Sequence, residues 1–320
     1  MSVLNGATLT GAFGEGARKA AKDLAMIFGS IPAQVFWPYF AGASISLAGA
    51  LAVKGEVLLA KGTDKIVSMG RLFFAVPMAV FGAQHFTEAK FIVHLVPSWI
   101  PGAWFWTYFV GTALIAAALS IVARKQAGLA ASLLALMLFL FVVLMHIPNV
   151  VAKPSDRVLW AVALRDLSFS GGALALAGMR INEWKAKTKN ALIATGRIFI
   201  AVATIFFGIE QLLHPDFVPG VPLEKATPTW IPGHLLWAYV AGAVFLVAGP
   251  CILVNRKARL AATCVGVMVL LLELFVYLPM WGAKFSDIDG GLDYFVDTLA
   301  FAGAALLLAD ALPREGGLHV

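Results

Sequence analysis

Two pairs of polar residues have the types and the spacing that proton transfer or ligand binding requires. Glu210 and His214 lie four residues apart, and so do Gln84 and Glu88. Side chains four positions apart share one face of a helix, so each pair can meet. A carboxylate beside an imidazole suits proton transfer or the ligation of a metal ion. The alternative is a helix end that reaches the lipid headgroups, where polar side chains are common.

Further ionisable residues lie inside apolar segments, where a charge costs roughly 2.5–3.5 kcal/mol on insertion scales. Asp166, which follows Arg165, and Asp297 predict either an ion pair that ties neighbouring helices or a proton relay. Glu273 precedes Tyr277 by four residues. A buried Glu hydrogen-bonded to that Tyr would be either a structural pair or a proton acceptor. His146 ends another such segment.

The composition places these residues in a membrane protein. Hydrophobic residues make up 60% of the 320 residues and charged residues 13%. A soluble protein of this length could not cover so much apolar surface, so lipid must cover part of it. The net charge of +6 comes from short basic clusters between apolar runs, which is typical of membrane-flanking loops and not of a nucleic-acid-binding surface. Cys251 and Cys264 form no CxxC motif, and no metal-binding HExxH motif occurs.

Nine apolar runs are long enough to cross a bilayer as helices, since about 20 residues span its hydrocarbon core. They cover residues 33–53, 66–87, 102–123, 127–147, 158–178, 194–213, 233–254, 258–279 and 292–311, and Pro148 is expected to end the fourth. Residues 11–30 are predicted to form an interfacial helix or to re-enter the membrane. We therefore expect an all-α integral membrane protein with about nine transmembrane helices.

The last eight runs contain one four-helix unit written twice, over residues 66–178 and 192–311, after an N-terminal region 1–60 with the first span. A five-residue insertion in the second copy raises the offset between the copies from 126 to 131 residues. The corresponding pairs include Arg71 and Arg197, Gln84 and Glu210, His85 and Gln211, Glu88 and His214, Trp106 and Trp237, Tyr108 and Tyr239, His146 and Tyr277, and Asp166 and Asp297. An even number of spans per unit predicts tandem bundles that lie parallel in the membrane.

The distribution of Lys and Arg predicts the orientation. The loops after spans one, three, five and seven, with the C-terminus, hold 15 of them: Lys54, Lys61, Lys65, Arg71, Arg124, Lys125, Arg180, Lys185, Lys187, Lys189, Arg197, Arg256, Lys257, Arg259 and Arg314. The opposite loops hold five: Lys90, Lys153, Arg157, Lys225 and Lys284. By the positive-inside rule the first set and the C-terminus are cytoplasmic. The basic N-terminal tail opposes this bias, because it is then placed outside.

The four-helix unit resembles the DoxX-like membrane family. The resemblance rests on the Arg-opened helix with Phe-Gly, the Pro-x-Trp-Ile-Pro loop, the Trp-x-Tyr-x-x-Gly segment and the basic turn before an Ala-rich helix. It implies a multi-pass protein of a bacterial or archaeal cytoplasmic membrane. Because family members include the membrane subunit of a thiosulfate:quinone oxidoreductase, it also suggests quinone-linked redox. The tandem arrangement and the extra first span depart from the usual single unit.

Two functions remain open. The first is electron or proton exchange with a quinone, assisted by a redox partner subunit, at an outer polar cluster. Its candidate residues are Glu210, His214, Glu88, Gln84, Glu273, His146, Asp166 and Asp297, with Trp106, Trp237, Tyr108 and Tyr239 either stacking on the quinone or forming an interfacial aromatic belt. The second is a non-enzymatic scaffold or small-molecule carrier. In either case the partners are the lipid bilayer and a protein subunit or a second copy, and not nucleic acid.

Overall fold

The computed structural model describes residues 31–181 and 184–314, and within these ranges it is an all-α, multi-pass membrane protein. Nine helices there are long and apolar enough to cross a membrane: α1 Ala33–Leu59, α2 Asp64–Thr87, α3 Ala103–Ala123, α4 Ala127–Ala152, α5 Arg157–Arg180, α6 Ala186–Leu213, α7 His234–Leu253, α8 Ala258–Ala283 and α9 Ile288–Ala311. The predicted fold class and the predicted number of spans are confirmed. The predicted interfacial or re-entrant segment, residues 11–30, lies outside the described residues.

Residues with positive φ set several helix boundaries. Gly102 and Gly233, with φ of 76° and 69°, precede α3 and α7. The tight turns that follow these helices contain Arg124 and Asn255, whose φ values are 59° and 57°. A left-handed conformation costs a residue with a Cβ roughly 1–2 kcal/mol, so packing on both sides of each turn must hold it. All four residues stand at positions that correspond between the two predicted units.

The fourth helix does not end at Pro148, in contrast to the prediction. It widens into a π-helical turn over Val142–His146 and continues as α-helix to Ala152. The Ile147 N–H donates to the Val142 carbonyl, five residues back. This shift in hydrogen bonding admits the proline, which has no N–H to donate. α8 repeats the arrangement with a π-helical turn over Glu273–Tyr277 before its own proline.

Helix α9 lies at the centre of the bundle. It packs against α2, α5 and α8, while α6 packs against α5 and α7. The opening helix of each predicted unit therefore packs against the closing helix of the other. The helix backbones approach closely at these crossings, where glycine leaves room for the neighbouring helix. A Cβ on Gly172 of α5 would lie 2.6 Å from Ala304 of α9. A Cβ on Gly303 of α9 would lie 2.5 Å from the Phe74 nitrogen of α2. The two predicted units thus interlock around one core.

Helix α1 packs on α2 and α3 at one edge of the bundle. Only 22% of its most apolar stretch is buried, so its outer face is available to lipid. The end of the bundle where α2, α4, α6 and α8 finish is called the upper end here, and the opposite end is called the lower end.

Candidate functional site

Four ionisable side chains form a continuous chain inside the upper half of the bundle. His146 Nε2 of α4 lies 2.8 Å from Asp166 Oδ2 of α5. Arg165 Nε donates to Asp166 Oδ1 at 2.9 Å, and one terminal nitrogen of Arg165 donates to Asp297 Oδ2 of α9 at 2.7 Å. Their side chains are at most 20% exposed. The structure thus brings together three predicted site residues, with Arg165 linking the two aspartates. We call these four residues the charged chain.

The charges limit the chemistry of the charged chain. Arg165 stays protonated under all ordinary conditions, so no proton passes through it from one aspartate to the other. Its two charge-assisted hydrogen bonds tie α5 to α9, which fits the predicted ion pair between helices. Two carboxylates against one guanidinium leave one negative charge, which a protonated His146 would balance. Because imidazole is the side chain that exchanges protons most readily near neutral pH, His146 is the member suited to take up or release one.

The predicted pair Glu210 and His214 meets at ion-pair distance. Glu210 Oε2 lies 3.9 Å from His214 Nε2 and 3.6 Å from a terminal nitrogen of Arg157. It has no hydrogen-bond partner among the described residues, although the Glu210 side chain is only 10% exposed. Sequence reasoning missed Arg157, which it placed among the loop charges. No local signal pairs it with a residue more than fifty positions away.

The corresponding pair in the first unit is arranged differently. The side-chain amide of Gln84 donates to Asp293 Oδ1 on α9. Glu88 follows the last residue of α2, with φ of −108° and ψ of 22°, and its backbone N–H donates to the Gln84 carbonyl at 2.7 Å. His214 follows the last residue of α6 in the same way, with φ of −132° and ψ of 61°, so the two pairs differ in their side-chain partners and not in their place at the helix end. Gln84 therefore joins α2 to α9 by a hydrogen bond, and Glu88 is a half-buried residue at the end of α2.

The expected hydrogen bond between Glu273 and Tyr277 is not formed. The Tyr277 hydroxyl donates to the Pro219 carbonyl at 2.6 Å. Both carboxylate oxygens of Glu273 are buried without a hydrogen-bond partner among the described residues. The π-helical turn that contains both residues changes their relative direction from that of an ordinary α-helical pair. Glu273 is therefore a buried carboxylate with free acceptor atoms, and Tyr277 is an anchor for a loop.

That loop is the insertion seen in the sequence, and its role was not predicted. Residues 217–226, called the insertion loop, begin and end at a β-bridge between Phe217 and Ala226. Its residues 218–223 are buried. Besides Tyr277, it is held by Arg157, which donates to the Pro222 and Leu223 carbonyls, each at 3.1 Å. The apolar, proline-rich composition of the segment was the available signal. The insertion loop thus packs against α5 and α8 at the upper end, and the first predicted unit has no corresponding segment in its sequence.

The predicted aromatic residues lie at the surface of the upper end. Trp106, Tyr108 and Tyr239 are 40–48% exposed. The indole N–H of Trp106 donates at 3.1 Å to the carbonyl of the proline five residues earlier, and Trp237 makes the corresponding bond at 3.2 Å. Amphipathic rings with a bonded polar edge suit an interfacial belt. A quinone that stacked on them would lie at the lipid-facing surface.

No group of three or more His, Cys, Asp or Glu side chains that could hold a metal ion occurs within residues 31–181 and 184–314. No protein-family model matches the chain, and neither a curated protein nor a solved structure matches it. Function is therefore inferred from the geometry of the upper end and from the sequence motifs.

Proposed function

We propose that the chain is a DoxX-like, multi-pass protein of a cytoplasmic membrane that exchanges protons with a quinone at its upper end, which faces outward. The observation that carries the proposal is the charged chain of His146, Asp166, Arg165 and Asp297 inside membrane-spanning helices. Charges in hydrocarbon are expensive and mark functional sites by default. The orientation is supported by the 15 basic residues at the lower end against five at the upper end.

In this proposal His146 receives a proton from the outside, and Asp166 stabilises the resulting imidazolium. Reduction of a quinone to a quinol consumes two electrons and two protons. Both electrons would come from a redox partner subunit, and both protons would come from the outer aqueous side, one of them by way of His146. Proton exchange at His146 requires no movement of Arg165, which keeps both aspartates hydrogen-bonded.

One buried side chain has the chemistry that a quinone carbonyl requires. Gln211 of α6 is 1% exposed, and neither its amide nitrogen nor its amide oxygen has a hydrogen-bond partner among the described residues. A buried donor without a partner costs about 1–3 kcal/mol, which a ligand carbonyl would recover. Glu273 is a buried acceptor of the same kind, suited to a quinol hydroxyl.

Extraction of the purified protein tests this proposal. The protein would be isolated in nanodiscs from its native membrane, and the organic extract would be analysed for quinones by mass spectrometry. We expect quinone in the wild-type extract and less of it with Gln211→Leu, which removes the amide at similar volume. Thr112→Val, which removes a hydroxyl that bonds within α3, is the control and should retain the quinone. An extract free of quinone from wild-type protein would refute the proposal.

The alternative function, a non-enzymatic membrane scaffold, is favoured by one observation. Arg165 hydrogen-bonds both aspartates and so joins α5 to α9, the closing helices of the two units. An ion-pair chain of this kind holds helices together whether or not it exchanges protons. A scaffold would keep its cellular function after His146→Gln, whereas proton exchange would not survive that change.

A further inference from the structure

The lower end contains an open cavity of about 360 Å³. It lies where the end of α1, the start of α2, the end of α5, the start of α8 and the end of α9 meet. Three arginines and three carboxylates line it: Arg180, Arg259, Arg314, Glu56, Asp64 and Asp310. We call this space the arginine cavity. It therefore joins α1 and both predicted units, far from the charged chain at the upper end.

Two of its carboxylates are each bound by two arginines. Glu56 pairs with Arg71 and, at 2.9 Å, with Arg124. Asp64 pairs with Arg259 at 2.8 Å and with Arg314 at 3.1 Å. These four arginines and Arg180 face three carboxylates in all, so the cluster has two more positive than negative charges. A bound anion would balance that excess.

Arg180 is the guanidinium with the most hydrogen-bonding capacity left. It makes no ion pair within 4 Å among the described residues, and neither does Asp310. The charge of Arg180 nevertheless acts on both Asp310 and Arg71, so all three belong to the same cluster. The planar fork of a guanidinium matches the oxygens of a phosphate group and binds two of them at once. Arg180 thus offers unused donors at a cavity whose lining has equal numbers of positive and negative charges. Arg71 and Arg124, which bind Glu56 from outside the lining, supply the excess positive charge.

One wall of the arginine cavity is apolar and continues onto the lipid-facing surface. Leu59 of α1 lines it and is 86% exposed, and Leu58 beside it is 70% exposed. The helices end at this level, which is where headgroups lie in a bilayer. Basic pockets between membrane helices commonly bind acidic headgroups. We propose that the arginine cavity binds a phosphate group, carried by an anionic phospholipid or present as free phosphate. This inference does not depend on the quinone proposal.

Binding is tested with the purified full-length protein in detergent. Phosphatidylglycerol, phosphatidylcholine and inorganic phosphate would each be titrated, and dissociation constants would be measured by native mass spectrometry for the lipids and by calorimetry for phosphate. We expect phosphatidylglycerol to bind at least tenfold more tightly than phosphatidylcholine. If inorganic phosphate binds and phosphatidylglycerol does not, the phosphate group comes from solution. Both results support a phosphate site, whereas binding of neither phosphate nor phosphatidylglycerol would overturn it.

Two substitutions that should change the affinity for phosphate in opposite directions distinguish an electrostatic effect from damage to the fold. Arg180→Gln should weaken binding about tenfold, the effect of one charge-assisted hydrogen bond. Asp310→Asn removes a repelling carboxylate and should strengthen binding. Arg256→Gln removes an exposed arginine from the turn between α7 and α8, at the same end but outside the cavity lining, and should leave binding unchanged. Equal weakening by Arg180→Gln and Arg256→Gln would show that general surface charge attracts the phosphate, and the site would be rejected.

Discussion

Replacing Arg165 by Gln should be among the most damaging single changes in the charged chain. Arg165 makes the two short bonds of 2.9 and 2.7 Å to Asp166 and Asp297. Without it, two carboxylates face each other across α5 and α9 with only His146 to compensate. Removing one partner of a buried ion pair costs about 3–5 kcal/mol. Asp297→Asn should cost less, about 1–3 kcal/mol, because Arg165 keeps its bond to Asp166.

The free energy of unfolding can be measured by titration with sodium dodecyl sulfate, which is followed by tryptophan fluorescence. Arg256→Gln serves as the control, since it removes the same charge from an exposed turn. The variant that combines Arg165→Gln with Asp166→Asn and Asp297→Asn should recover much of the lost stability, because it leaves no uncompensated carboxylate. The reasoning is wrong if Arg165→Gln is no more destabilising than Arg256→Gln, or if the combined variant is less stable than Arg165→Gln alone.

Four further outcomes are expected. Glu210→Gln and His214→Gln should insert normally but lose the function that a deletion strain reveals, because Gln supplies neither a carboxylate nor an imidazole; full complementation by the double variant would reduce this pair to a solvated helix end. In a cysteine-free background, a single cysteine that replaces exposed Lys153 or Lys284 should react with an impermeant thiol reagent in intact cells. A single cysteine that replaces Lys125 or Lys187 should stay unlabelled. Replacing both Cys251, which is partly buried, and Cys264, which is exposed, by Ala should leave function intact, and a loss at normal protein level would indicate a thiol mechanism. Gly220→Ala should loosen the insertion loop, because φ is +102° and a Cβ would lie 3.0 Å from Thr298; proteolysis of the loop should become faster, and unchanged protection would contradict its close packing.

The helices were predictable because length and apolarity decide which segments cross a membrane. The prediction of nine spans used only these two properties. The continuation of α4 through Pro148 was not predictable, since it depends on a π-helical turn that no local composition specifies. Partners at long sequence separation were also missed. The contacts of Arg157 with Glu210 and of Gln84 with Asp293 depend on which helices pack together. The pattern of residues in a single sequence does not indicate which helices are neighbours.

Asp166 and Asp297 could be identified as candidate site residues from the sequence alone. Their correspondence between the two units and their positions within apolar segments marked both as residues that need a partner. Sequence reasoning noted Arg165 beside Asp166 but not that its guanidinium would bridge both aspartates. The insertion loop was visible only as a change of offset. Its burial depends on Tyr277 and Arg157, which reach it from helices α8 and α5.

Infrared difference spectroscopy tests the central claim most directly. The protein with its native quinone would be reduced and reoxidised electrochemically in lipid, and imidazole and carboxyl bands would be compared among three proteins. Wild type should show a protonation change that disappears in His146→Gln. His94→Gln, which alters an exposed histidine bonded only to the Lys90 carbonyl among the described residues, should retain it. Identical difference spectra for wild type and His146→Gln would contradict proton exchange at the charged chain.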